Sequence, residues 1–313
     1  MSRKEQLFII CILLLVINIL VYLKKTDKHP EHVQEDPGLE WLFKPEQEQP
    51  KPEPKPEPEP EIEPEWVNYP PLREVTNLGK VLSDIESHMP AGHIYRDSDK
   101  ITWAHETTHG INSNLRQKYS RSYGGRDVWG RSAWKEIDGK PVFHNGRING
   151  FYCLDNKAAI IEEPPTTMQA AAALVPQSLR GPVYNLYMVQ QARSWGDTPL
   201  YIFDEWSAYQ NGSACRADLE IQERSETVSQ MLEFDVYALA LAMAVKKQAP
   251  NYDDSQFKRF LMWSLDRSFK LYKGESRAQS YLQAWKTSPD AEDLRQFTRE
   301  YCGQEWTKKV LGF

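Results

Sequence analysis

The sequence predicts a mostly helical α+β fold with a small antiparallel β element, preceded by an apolar N-terminal helix and a linker rich in Pro and Glu. Three observations support this prediction. Several long segments place apolar residues at helical spacing. Residues 123 to 150 are rich in glycine and aromatic residues without helical periodicity, which indicates loops and short strands. Residues 66 to 313 are numerous enough to form one large domain with its own core.

The first predicted element is an apolar run from Leu7 to Leu23, interrupted only by Asn18. It is just long enough to cross a bilayer, and no small-residue cleavage site follows it. We therefore predict an uncleaved signal anchor, with residues 1–6 in the cytoplasm and residues 7–23 as a single transmembrane helix. Basic residues flank both ends, but a long C-terminal part is translocated largely regardless of charge, which favours an extracytoplasmic domain. A buried helix of a soluble core is the alternative.

Residues 24–65 form the second predicted segment, a disordered spacer. Its proline-rich part, Lys44 to Glu65, contains eight Pro, eight Glu and three Lys and almost no apolar residue. Proline at every second position favours extended polyproline II, so this part can reach roughly 70 Å at about 3.1 Å per residue. The spacer therefore separates the domain of residues 66–313 from the membrane. A role as an SH3-type ligand is the alternative, but no PxxP motif is flanked by the expected arginine.

The charge distribution argues against nucleic acid as a partner. The chain has 38 Lys and Arg against 44 Asp and Glu, a net charge of −6. Most of the acidic excess lies in the spacer, so the domain of residues 66–313 is electrostatically balanced. Cys11 falls in the predicted membrane helix. Cys153, Cys215 and Cys302 could form one disulfide, with one thiol left over, if the domain is extracytoplasmic.

Two helices are predicted at the start of the domain. Val75 to Ser87 has apolar residues at helical spacing and ends at a turn that contains Pro90 and Gly92. A residue among Asp97, Ser98 and Asp99 then caps the second helix. The buried stripe of this second helix is formed by Ile101, Ala104, Thr108, Ile111 and Leu115, and a neighbouring stripe of His105, His109 and Asn112 can face a cleft.

A small β element follows, and then further helices. Asn145-Gly146 has the composition of a hairpin turn, and Asp155-Asn156-Lys157 joins two apolar stretches as a second hairpin that Pro164-Pro165 ends. Ser288-Pro289-Asp290 is typical of a helix start. The helix-compatible segments are residues 167–175, 182–195, 205–210, 219–248, 255–271 and 290–301.

The second helix contains a His-Glu-x-x-His motif, from His105 to His109. Residues four apart on a helix lie on the same side, so both imidazoles can bind one cation. Glu106 lies on the flank of the helix, where its carboxylate can reach a metal-bound water and act as a general base. The sequence therefore predicts a Zn²⁺ site with His105 and His109 as ligands.

This motif resembles the active-site helix of the zincin metallopeptidases. In the metzincin branch, a third histidine follows the second by six residues and a glycine precedes it. Here Leu115 and Asn112 occupy these positions, so the resemblance is to the gluzincin branch, in which the third ligand is a glutamate on a later helix. The resemblance implies a zincin-like metallopeptidase domain that hydrolyses peptide bonds.

Glu205 is the predicted third metal ligand. It follows the apolar stretch Leu200 to Phe203, and a buried acidic pair there would need a counter-charge such as zinc. Asp204 is the alternative ligand, or, like Asn112, a partner that fixes the tautomer of a ligand histidine. A third interpretation makes Asp204-Glu205 a helix cap and first-turn acid. Glutamates of the following segment are predicted to face solvent, namely Glu220, Glu223 and Glu226.

Tyr209, one turn after the predicted glutamate ligand, is the first candidate for a catalytic oxyanion donor, ahead of His144 and Tyr152. His88 and His93 are predicted to be surface residues of a turn. The sequence thus predicts a membrane-anchored zinc metallopeptidase that acts on a peptide or protein substrate. The alternative is a membrane-tethered binding or structural module whose motif is accidental or inactive.

Overall fold

The computed structural model describes residues 62–75, 79–122, 133–137, 140–144, 147–221, 226–272, 274 and 276–313. The predicted membrane helix of residues 7–23 and most of the predicted spacer lie outside these residues. All described residues belong to one unit, Glu59–Phe313. Its architecture is the predicted mostly helical α+β type.

Two small antiparallel sheets make up the β structure that the described residues contain. The first has the strand order β1-β5-β4, with β1 at Trp66–Asn68, β4 at Ile148–Tyr152 and β5 at Lys157–Glu162. The second pairs β2, Ala133–Ile137, with β3, Lys140–His144.

The hairpin predicted at residues 155–157 is confirmed, since Tyr152 pairs with Ala158 and the turn between β4 and β5 has left-handed backbone at Leu154, Asp155 and Asn156. The hairpin predicted at residues 145–146 is wrong. The strands on either side of that turn, β3 and β4, belong to different sheets.

The described part of the chain contains nine α-helices. They are α1 Lys80–Ser87, α2 Lys100–Ser122, α3 Met168–Ala173, α4 Tyr201–Asp218, α5 Thr227–Gln248, α6 Ser255–Tyr272, α7 Ser276–Thr287, α8 Glu292–Cys302 and α9 Gln304–Val310. Between α3 and α4 lie a 3₁₀ turn at Gln177–Leu179, a π-helix at Asn185–Gln190 and a second 3₁₀ turn at Gln191–Arg193. The π-helix occupies part of the predicted helix 182–195, and α7 and α9 were not among the predicted segments.

The core is centred on α5, whose side chains are buried over most of its length. It is the one helix in the described residues that is long and apolar enough to cross a bilayer, but 83% of its most apolar window is buried inside the fold. Such burial is typical of the core helix of a globular domain, so this helix is weak evidence for a membrane span.

Helices α2 and α4 pack side by side, and β4 lies against α2. A Cβ atom at Gly150 of β4 would lie 2.5 Å from Leu115 Cβ of α2, so the strand needs glycine there. Asn211 of α4 donates hydrogen bonds to Thr108 Oγ1 and to the Tyr152 carbonyl, both at 3.1 Å. These contacts fix α2, α4 and β4 relative to one another.

Candidate metal centre

Helix α2 presents both motif histidines on one side. Asp99, one of the three capping candidates that the sequence offered, caps the helix by accepting a hydrogen bond from the Ile101 backbone N–H at 3.0 Å. The buried face of α2 includes Ala104 and Ile111, both 0% exposed. The His105 and His109 rings lie beside this face, and their Nε2 atoms are 3.1 Å apart.

Helix α4 brings Glu205 to the two histidines. Its Oε2 atom lies 3.5 Å from Nε2 of His105 and 3.5 Å from Nε2 of His109. Glu205 is 5% exposed, and Oε2 is buried without a hydrogen-bond partner among the described residues. The alternative interpretation, with Asp204 as helix cap and Glu205 as first-turn acid, is wrong. Helix α4 starts at Tyr201 with Leu200 as its N-cap, and the acid of its first turn is Asp204.

The spacing of these three atoms fits a tetrahedral metal ion. Two ligand atoms at zinc distances of about 2.0 to 2.1 Å are about 3.3 Å apart when the coordination is tetrahedral. The three separations in the cluster are 3.1, 3.5 and 3.5 Å. His105, His109 and Glu205 are also the one group of three potential metal ligands that the described residues bring together. They therefore fit a zinc site with three protein ligands.

The electrostatics of the cluster favour a positive charge between these groups. Burial raises the pKa of Glu205, but the close imidazoles of His105 and His109 and their charges outweigh burial and lower the pKa below its usual range. Burial lowers the pKa of His109, but Asp204 and Glu205 outweigh it and raise the pKa well above its usual value. The buried carboxylate of Glu205 and the half-buried carboxylate of Asp204 thus face the imidazoles, and either a proton or a metal cation can balance their charge.

Asp204 contacts the opposite nitrogen of His109. Its Oδ2 lies 3.0 Å from His109 Nδ1, and its Oδ1 accepts a hydrogen bond from Asn112 Nδ2 at 2.7 Å. Asn112 is itself held by Ser207 Oγ and by the backbone N–H of Tyr152. A carboxylate at Nδ1 places the proton there and leaves the Nε2 lone pair free to bind a metal. The structure thus places Asp204 beside His109 but away from the three converging atoms.

Two residues near Glu205 were not identified from the sequence. The Tyr201 hydroxyl donates to Glu205 Oε1, and it lies 2.6 Å from Gln191 Oε1. Tyr201 precedes Glu205 by four residues on α4, so helical spacing could have identified it. Nothing in the sequence around Gln191 indicates its position, because a separate segment brings it to α4.

Tyr209 lies at the edge of the cluster. Its ring contacts the His105 ring edge-on, with centroids 4.5 Å apart, and its hydroxyl is 2.9 Å from the Tyr187 hydroxyl. Burial raises the pKa of Tyr209 to about 12, so the phenol keeps its proton at neutral pH. It can therefore act as a hydrogen-bond donor beside His105.

Glu106 is half-buried on the flank of α2, as predicted. It makes no hydrogen bond or ion pair with the residues that the structure describes. Its charge contributes, after burial and other groups, to the raised pKa values of Tyr209 and Tyr95.

The other sequence candidates lie apart from the cluster. The Tyr152 hydroxyl contacts Asp84 at 2.9 Å and His88 Nδ1 at 2.8 Å. The surface position predicted for His88 is wrong, because its ring is 0% exposed and Asn156 and Tyr152 from distant parts of the chain enclose it. His93 is half-buried, and its ring lies on Gly110 of α2.

The remaining sequence candidates belong to other segments of the chain. His144 falls in β3, Glu220 and Glu226 lie before α5, and Glu223 falls outside the described residues. Cys153, Cys215 and Cys302 are buried free thiols.

No protein-family model, curated protein or solved structure matches the chain. The chemistry of the cluster must therefore be inferred from its own residues.

Proposed function

We propose that the chain is a membrane-anchored zinc metallopeptidase of the zincin type, with His105, His109 and Glu205 as metal ligands and Glu106 as the general base. The observation that carries this proposal is the buried Oε2 atom of Glu205, which has no hydrogen-bond partner among the described residues and faces two imidazole nitrogens. An ionised carboxylate buried in this way is costly unless a cation binds it.

The residues around the ligands match the tasks of peptide hydrolysis. Zinc at this site would polarise a substrate carbonyl and lower the pKa of a water molecule. Glu106 takes the proton from the attacking water and transfers it to the leaving amine. Tyr209 donates a hydrogen bond to the developing oxyanion. Asp204 keeps His109 in the tautomer that leaves Nε2 unprotonated.

The N-terminal part completes the proposal. Residues 7–23 would cross the membrane once, and residues 24–65 would hold the catalytic domain away from it on the extracytoplasmic side. Within the described residues, β1 begins at Trp66, where the sequence places the end of the spacer. The partners would be the membrane and a peptide or protein substrate, and the balanced charge of the domain gives no reason to expect nucleic acid.

The test uses the full-length chain purified in a mild detergent. After dialysis against zinc, wild type should contain one zinc ion per chain by elemental analysis, and the double variant His105→Ala, His109→Ala should contain none. Glu106→Gln should keep the zinc and lose hydrolysis of a peptide library. Glu300→Gln, which removes an exposed carboxylate on α8, is the matched control and should keep both properties.

Two results would contradict the proposal. A folded wild-type chain that binds no zinc would favour the alternative, a tethered binding or structural module. A Glu106→Gln variant that cleaves peptides as fast as wild type would show that the hydrolysis does not use this site.

A further inference from the structure

The two carboxylate oxygens of Glu205 have different surroundings. Oε2 faces His105 and His109, whereas Oε1 accepts a hydrogen bond from the Tyr201 hydroxyl. A carboxylate that is free to rotate can offer a metal either oxygen or both. The hydrogen bond at Oε1 restrains this rotation and keeps Oε2 as the oxygen that faces the two histidines.

Tyr201 is held in place by two further contacts. Its ring stacks on Trp195, with centroids 4.6 Å apart and an interplanar angle of 6°. Its hydroxyl oxygen lies 2.6 Å from the side-chain amide of Gln191. A phenol has a single proton, and an ionised Glu205 can only accept, so Tyr201 donates this proton to Glu205. The Gln191 amide, the Tyr201 hydroxyl and the Glu205 carboxylate are therefore all satisfied when the NH₂ group of Gln191 points towards the phenol oxygen.

Gln191 lies where the π-helix Asn185–Gln190 passes into a 3₁₀ turn. The same segment supports the site at a second point, because Tyr187 from the π-helix contacts the Tyr209 hydroxyl. π-Helices are rare in proteins, and those that occur often lie at functional sites. The irregular segment thus places the Gln191 side chain against Tyr201, which contacts Glu205, and the Tyr187 side chain against Tyr209, the proposed oxyanion donor.

We propose that the hydrogen-bond chain from Gln191 through Tyr201 to Glu205 is a positioning device that makes Glu205 a one-oxygen ligand and sets the metal affinity of the site. This inference rests on the proposed function, because it assigns roles around the same three ligands. Tyr201 and Gln191 act through Glu205 and are positioning residues.

The principal test is Tyr201→Phe in the full-length chain. This change removes the hydroxyl and keeps the ring that stacks on Trp195. Zinc affinity, measured by competition with a chelator, should fall by about 10- to 100-fold. The thermal unfolding midpoint of the metal-free protein should change little. Tyr281→Phe is the matched control, because that hydroxyl donates to the Leu179 carbonyl, away from the cluster, and its loss should leave zinc affinity unchanged.

Cobalt substitution gives a readout that a purely structural role of Tyr201 would not change. In wild type, one oxygen from Glu205 gives a four-coordinate Co²⁺ ion with strong visible absorption. In Tyr201→Phe, both oxygens of Glu205 become free to bind, so the coordination number should rise and the visible absorption should weaken. Tyr281→Phe should retain the wild-type spectrum.

A double-mutant cycle tests whether Gln191 acts through Tyr201. Gln191→Leu should lower zinc affinity less than Tyr201→Phe does, and the double variant should be no weaker than Tyr201→Phe alone. If Tyr201→Phe does not fold, Gln191→Leu tests the same hydrogen-bond chain with the Tyr201 phenol in place.

The outcomes distinguish this inference from the proposed function. A wild-type chain that binds zinc, together with variants of unchanged affinity and unchanged cobalt spectrum, would overturn the positioning role alone. A wild-type chain that binds neither zinc nor cobalt would overturn the metal site and this inference with it.

Discussion

Glu163 contacts the start of α4, and its substitution allows a quantitative test of the proton binding of this buried carboxylate. Its carboxylate is 1% exposed, and Oε1 accepts a hydrogen bond from the Leu200 backbone N–H at 2.7 Å. Burial is the largest influence and raises the pKa of Glu163 to about 7, although hydrogen bonds from Leu200 and Asn149 and the charge of Arg147 lower it in part. Glu163→Gln keeps an acceptor for Leu200 and replaces a titrating group by one that is always neutral.

The sign of the effect follows from proton linkage. The pKa of Glu163 is about 7 in the folded protein and 4.5 in an unperturbed glutamate, so the folded state binds the proton more tightly. The stability contributed by Glu163 is therefore fully present below pH 4.5 and is lost as the pH rises through about 7. The difference between the two pKa values corresponds to a loss of about 3 kcal/mol of unfolding free energy across this pH window.

The assay is a set of denaturant titrations of the full-length chain from about pH 4 to about pH 8, followed by tryptophan fluorescence. As the pH rises, the unfolding free energy of Glu163→Gln should increase by about 3 kcal/mol relative to that of wild type. Glu300→Gln, at an exposed position, should keep the wild-type pH dependence. Parallel curves for wild type and Glu163→Gln would refute the buried, proton-binding carboxylate.

Three further predictions concern the contacts around the site. Asp204→Asn should weaken zinc binding by about 10- to 100-fold in a chelator competition, because an asparagine has one acceptor oxygen where Asp204 accepts two hydrogen bonds; unchanged affinity would contradict its orienting role. Tyr209→Phe should slow peptide hydrolysis by about 10²- to 10³-fold at unchanged zinc affinity; a wild-type rate would remove this phenol from the mechanism. Gly150→Ala should destabilise the domain by about 1 to 3 kcal/mol in denaturant titrations, because the new Cβ would lie 2.5 Å from Leu115 Cβ. Gly212→Ala has its nearest neighbours at 3.4 to 3.5 Å and should be neutral or stabilise by up to about 1 kcal/mol. Equal stability of the two alanine variants would contradict the described packing of β4 on α2.

The parts of the fold that local spacing determines could be predicted from the sequence. The i, i+4 spacing of His105 and His109 placed both rings on one side of a helix, and one of the three predicted capping candidates, Asp99, caps that helix. The turn at Asp155-Asn156 tolerates left-handed backbone, and it joins β4 and β5. In each case, residues close together in the chain make the contacts that decide the structure.

The parts that depend on distant contacts could not be predicted. His88 lies in a turn-like sequence, yet Asn156 and Tyr152 bury it. The π-helix was expected to be an ordinary helix, and its widened turn is not encoded in apolar periodicity. Glu205 could be chosen only by its apolar surroundings. Its approach to the histidines depends on the packing of α2 against α4, to which Asn211 contributes.

A proton is a less complete explanation of the cluster than a metal ion. If His109 donates its Nδ1 proton to Asp204, one proton shared at 3.1 Å can join the two Nε2 atoms. Glu205 Oε2 is then 3.5 Å from both nitrogens, which is longer than a normal hydrogen bond. A cation at about 2.0 to 2.2 Å from each of the three atoms would satisfy them together. The same cation would explain why Tyr201 occupies Oε1 and leaves Oε2 free. The asymmetry of the Glu205 carboxylate, with Oε1 hydrogen-bonded and Oε2 buried without a hydrogen-bond partner among the described residues, is thus the strongest physical reason to propose zinc at this site.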